Sequence, residues 1–159
     1  MKKILIVEDD RKIALAVAVR LKAHGYETIT AFDALAGMTL CVKHLPDLVI
    51  LDISMPAGNG FDVAAQIQNL APTAGTPIIF MTASRKPEFV TRAAELGAVA
   101  FIEKPFDDGE LIADVRHALG KKRTRKSERG SRSEEAEEEY LNTKDAKVAK
   151  GMRKEEDRR

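Results

Sequence analysis

Four short apolar runs punctuate the chain: Ile4-Leu5-Ile6-Val7, Leu48-Val49-Ile50-Leu51, Ile78-Ile79-Phe80-Met81 and Val99-Ala100-Phe101-Ile102. Each is rich in β-branched or aromatic side chains and too short for a helix, so each predicts a strand buried on both faces of a parallel sheet. Tyr26 to Ala31 is more polar, with Glu27, Thr28 and Thr30 interspersed, as an edge strand would be. Between the runs apolar residues recur at helical spacing. Ile13, Val17 and Leu21 form a first stripe that ends at His24-Gly25, where the glycine suits a helix C-terminus. Leu35, Met38 and Val42 form a second, Phe61, Ala64, Ala65 and Gln68 a weaker third, and Phe89, Ala93 and Leu96 a fourth that stops at Gly97. Leu111, Ile112, Val115 and Leu119 form the last, opened by Asp107 with Glu110 three residues on, a capping-box arrangement.

Strand and helix thus alternate five times, which calls for one five-stranded parallel sheet, doubly wound, with helices on both faces and right-handed crossovers. Ligands of such sheets bind beyond the carboxyl ends of the strands, where the strand order reverses. The first strand is followed by Glu8-Asp9-Asp10, the third by Asp52, the fourth by Thr82 and the fifth by Glu103-Lys104. Carboxylates crowded at one edge repel one another unless a cation neutralises them, and oxygen-only ligands favour a hard ion such as Mg2+. A lysine and a short hydroxyl beside that ion suit an oxyanion, phosphate above all.

Composition divides the chain. Residues 1–119 hold 63 of the 70 apolar residues and carry net charge −3, whereas residues 120–159 hold 7 and carry +4. The expected organisation is therefore a domain over 1–119 and a charged C-terminal extension over 120–159, flexible or marginally helical, too poor in apolar groups for a core. Those 40 residues cannot bury a helix-turn-helix, so no DNA-binding domain is expected there. Cys41 is the only cysteine, which excludes an intramolecular disulfide and a multi-cysteine metal site. The first apolar run is cut by Glu8, far too short for a signal peptide or membrane span, so no membrane partner and a cytoplasmic location are expected. His24, His44 and His117 are scattered without paired ligands.

From Ile4 to about Leu119 the sequence resembles the response-regulator receiver family of two-component signalling. The likeness rests on Ile-Leu-Ile-Val-Glu-Asp-Asp at 4–10, on 47–60 with Asp52, Met55-Pro56 and Gly60, on Met-Thr-Ala at 81–83 and on Lys-Pro-Phe at 104–106. It implies a flavodoxin-like strand order 2-1-3-4-5 and Asp52 as phosphoacceptor. It implies further that Glu8, Asp9, Asp52 and the backbone carbonyl of Ser54 bind Mg2+, and that Thr82 and Lys104 contact the phosphoryl group. A cis bond before Pro105 belongs to the same pattern, as does a switch made of Thr82 and Phe101, the latter expected to be half buried. Ser54 and Ser84 stand where the family tunes the lifetime of the phosphorylated state.

The implied function is that of a phosphoaccepting signalling module, not an enzyme. A sensor histidine kinase or histidine phosphotransfer protein would donate the phosphoryl group, and a downstream protein would read the fourth helix, fifth strand and fifth helix. A homodimer is compatible with such a surface. The alternative is a Mg2+-dependent phosphohydrolase with an aspartyl-phosphate intermediate. Enzymes of the haloacid dehalogenase kind carry a second aspartate two residues after the nucleophile, where this chain has Ser54, which disfavours turnover of outside substrates.

Overall fold

The computed structural model describes residues 1–56 and 58–120. The expectations for 121–159 fall outside the described residues. Five parallel strands, β1 (Lys3–Val7), β2 (Glu27–Ala31), β3 (Leu48–Asp52), β6 (Ile78–Thr82) and β7 (Ala100–Glu103), form one sheet in the order β2-β1-β3-β6-β7. This is the order 2-1-3-4-5 anticipated for five strands. Two-residue strands β4 (Ser54–Met55) and β5 (Gly58–Asn59) pair antiparallel just beyond β3.

The runs are apolar throughout because both sheet faces are covered. Ile4, Ile6, Leu48, Ile50, Ile79 and Met81 pack with α1 (Arg11–Ala23) and α5 (Asp108–Gly120). Leu5, Val7, Val49, Leu51 and Phe80 pack on the other face with α2 (Ala34–His44), α3 (Gly60–Asn69) and α4 (Pro87–Glu95). Phe61 bridges Phe80 and Phe89 edge-on, at ring distances of 5.1 and 5.7 Å.

Local chemistry sets the helix ends. Asp10 caps α1, accepting from the Lys12 and Ile13 N–H groups at 2.9 and 3.3 Å, and Asp33 caps α2 through the Ala36 N–H. Asp107 accepts from the Glu110 N–H at 2.7 Å, one half of the expected capping box. Gly25, after α1, and Gly97, after α4, have φ of +87° and +71°, conformations that a side chain would strain.

Two expectations change. The second helix buries its small residues, Gly37 and Cys41, and of the stripe Leu35-Met38-Val42 only Met38 packs against the core, partly buried. Leu35 and Val42 are exposed. A Cβ on Gly37 would lie 3.0 Å from both Val7 methyl groups, so the helix sits too close to the sheet for a larger residue on that line. Phe101 is fully buried, not half buried, because α4 and the turn after it cover its end of the sheet with Ala93, Ala94 and Ala98.

Candidate functional site

The strand order reverses between β1 and β3, which makes the ends of these two strands the floor of a crevice. Glu8 and Asp9 leave β1, Asp52 ends β3, Thr82 ends β6, and Lys104 follows β7. The parallel register aligns these ends, with Val7 opposite Leu51, Asp52 opposite Met81 and Thr82 opposite Glu103. Glu8, Asp9 and Asp52 each place a carboxylate oxygen within 4.8 Å of the other two. Glu8 and Asp52 are buried, while Asp9 lies more open.

Lys104 supplies the counter-charge. Its Nζ lies 2.6 Å from Glu8 Oε2 and 3.4 Å from Asp52 Oδ1. Burial, and then the neighbouring Glu8 carboxylate, push Asp52 up to about 7, although Lys104 and a backbone hydrogen bond from Ser54 pull the other way. One ammonium is thus too little for three carboxylates, and a second cation would relieve the remainder. The donor set is entirely oxygen, which suits a hard divalent ion.

Two backbone features shape the rim. A Cβ on Gly60 would lie 2.2 Å from the Asp52 carbonyl oxygen, so the start of α3 passes over the end of β3 at a distance only glycine allows. The Gly60 N–H donates to the Ile53 carbonyl at 2.9 Å, fixing that crossing. The Lys104–Pro105 peptide bond is cis, and the Lys104 N–H donates to the Thr82 carbonyl at 2.7 Å.

The response regulator receiver domain family matches residues 4–116. This chain belongs to that family. Receiver domains are phosphoacceptors in two-component signalling, are not classed as enzymes, and bind Mg2+ in an acidic pocket. The DNA-binding dual master transcriptional regulator RpaA of Synechocystis is 34% identical over 119 residues, covering 75% of this chain and 49% of RpaA. The transcriptional regulatory protein PdtaR of Mycobacterium tuberculosis is 36% identical over 121 residues, covering 76% of this chain and 58% of PdtaR. The chain therefore spans about half the length of the curated relatives it matches. Among solved structures, chemotaxis protein CheY4 of Vibrio cholerae is 29% identical with a TM-score of 0.71, over 74% of this chain and 98% of CheY4. The non-phosphorylated HemR receiver domain of Leptospira biflexa is 32% identical with a TM-score of 0.72, over 79% of this chain and 99% of that domain.

Within this receiver, the structure brings Glu8, Asp9, Asp52 and Lys104 together as a cluster. Thr82 is buried at the neighbouring strand end, and its hydroxyl is engaged in its own loop. Ser54 is exposed in β4 beside Asp52, and Ser84 is exposed in the loop after β6. Phe101 lies in the core beneath α4. One contact was not expected from the sequence: Arg85 Nε reaches Glu103 Oε2 at 2.7 Å. Residues 18 apart in the chain, without periodicity linking them, leave no sequence signal for such a pair. Among the described residues, no helix is long and apolar enough to cross a membrane.

Proposed function

We propose that Asp52 is the phosphoacceptor of this receiver. The observation that carries the reading is a buried carboxylate at the end of β3, with two further carboxylates within 4.8 Å and an ammonium 3.4 Å away. A carboxylate oxygen of Asp52 attacks phosphorus, the P–N bond of a phosphohistidine or the P–O bond of acetyl phosphate breaks, and an acyl phosphate forms. Water later cleaves it, returning the carboxylate and inorganic phosphate. Glu8, Asp9, Asp52 and the Ser54 carbonyl would hold Mg2+, which supplies charge neutralisation for the transferring group. Lys104 holds a phosphoryl oxygen, Thr82 contributes its hydroxyl, and Ser54 and Ser84 border the path of the hydrolytic water.

A sensor histidine kinase or histidine phosphotransfer protein supplies the phosphoryl group, and the response passes through Thr82 and Phe101 to a surface of α4, β7 and α5. Phe101 lacks the hydroxyl of a tyrosine and is already buried, so the switch works through movement of the loop after β6 more than through a ring hydrogen bond. The protein acts in the cytoplasm, with residues 1–119 as the receiver. Residues 120–159 carry a net charge of +4.

The deciding experiment is incubation with Mg2+ and acetyl phosphate, read on a phosphate-affinity gel, for wild type beside Asp52→Ala. Wild type should shift, and the variant should not. A shift retained in Asp52→Ala would contradict Asp52 as the acceptor, and labelling undiminished by EDTA would contradict the metal requirement. Lys104→Ala should still label in part but lose the amide shifts around Thr82 and Phe101 that beryllofluoride induces in wild type.

A further inference from the structure

The loop from Ala83 to Lys86 is held at two successive residues, Ser84 and Arg85. At its start, the Thr82 hydroxyl donates to the Ser84 carbonyl at 2.8 Å and accepts from the Ser84 N–H at 3.1 Å. At its next residue, Arg85 pairs through Nε with Glu103 Oε2 at 2.7 Å. Arg85 is largely covered, its side chain 13% exposed against 43% for Glu103. Glu103 lies opposite Thr82 in the register and immediately precedes Lys104. The loop that carries Thr82's partner is thus pinned to the strand that delivers the site's ammonium.

A hydroxyl has a single proton to donate. While Thr82 gives it to Ser84, it cannot give it to a phosphoryl oxygen on Asp52. Turning the hydroxyl toward Asp52 means releasing the Ser84 carbonyl, and the residue after Ser84 is the one anchored to β7. We propose that Arg85 is a positioning residue for phosphoryl acceptance. Its ion pair with Glu103 holds the loop in the form in which Thr82 donates to Ser84, and that pair opens when Thr82 turns to the phosphoryl group. The inference rests on Asp52 being the acceptor. It concerns which loop form the free protein holds, not which residue reacts.

The pair acts only through the difference it makes between the two loop forms. Because Glu103 is substantially exposed, that difference is modest, amounting to about a two- to fivefold change in equilibrium.

The test is a beryllofluoride titration of the full chain in Mg2+, followed by amide NMR at Thr82 and Ser84. It uses wild type, Arg85→Gln, Glu103→Gln, the double Gln variant, Arg85→Lys, and the exchange Arg85→Glu with Glu103→Arg. Each Gln variant should bind beryllofluoride about two- to fivefold more tightly than wild type, and the double variant no more tightly than either. Arg85→Lys and the charge exchange should move affinity back toward wild type. A merely structural role for Arg85 would lower the melting temperature without raising this affinity. Equal or weaker binding in the Gln variants, or additive gains in the double variant, would overturn the latch while leaving Asp52 as acceptor. If wild type shows no beryllofluoride shift that depends on Asp52, both readings fall together.

Discussion

Burial and Glu8 hold the Asp52 carboxyl at about 7 in the folded, metal-free protein, against 3.8 for an ordinary aspartate. The unfolded chain therefore ionises Asp52 first, and between about pH 4 and pH 7 it binds fewer protons than the folded state. Stability falls as pH rises through that window and levels off above it. Urea unfolding in EDTA at pH 5 and pH 8 should show this slope in wild type and a flatter one in Asp52→Asn. At pH 8 the variant should be the more stable by roughly 1–4 kcal/mol. Mg2+ should narrow the gap by stabilising the ionised wild type. Parallel behaviour of the two proteins at both pH values would refute the assignment. Gly60 gives a second test at this scale. A methyl group there meets backbone 2.2 Å away, so Gly60→Ala should cost about 1–3 kcal/mol in the same assay and should also lower Asp52 labelling. Both residues were visible in the sequence, but only the structure separates close approach from a positive φ as the reason for the glycine.

At the scale of elements, strands and helices read differently from the sequence. The four apolar runs were unambiguous because strands buried on both faces have no polar side to blur the pattern. Helix α2 misled because two of its three stripe residues, Leu35 and Val42, face outward and only Met38 packs on the core, while its buried positions, Gly37 and Cys41, are small. Leu35→Gln should then change stability by no more than about 0.5 kcal/mol. Gly37→Leu should cost about 1–3 kcal/mol, because Val7 cannot yield that volume. Equal losses in chemical denaturation would mean that the large residues do pack inward. The same reasoning explains Phe101. Its place three residues before Lys104 was plain, whereas the alanines of α4 that bury it belong to another element and could not be read from its neighbourhood.

For the whole molecule, the alternation of elements was enough to predict a five-stranded doubly wound sheet, the family resemblance added the strand order, and the strand-end residues pointed to the cluster of Glu8, Asp9, Asp52 and Lys104. What sequence could not supply was the pairing among them: that Lys104 bonds Glu8 more closely than Asp52, or that Arg85 closes on Glu103. Helix α5 runs through Gly120, one residue past the expected boundary. A chain cut after Gly120 should keep the wild-type melting temperature and Asp52 labelling. Loss of either would mean that residues beyond α5 stabilise the domain. The Lys104–Glu8 bond also has a bearing on folding. It joins the first strand to the last across 96 residues of chain, and contacts of such long range form only after much of the chain entropy has been surrendered. A chain in which β7 has yet to dock holds its clustered acids without their ammonium, as Lys104→Ala does, and under the proposed role of Asp52 should label only in part. Under the proposed function, phosphoryl uptake should therefore be weaker in a half-made or locally unravelled copy than in a fully assembled one, which would dampen any false signal from it.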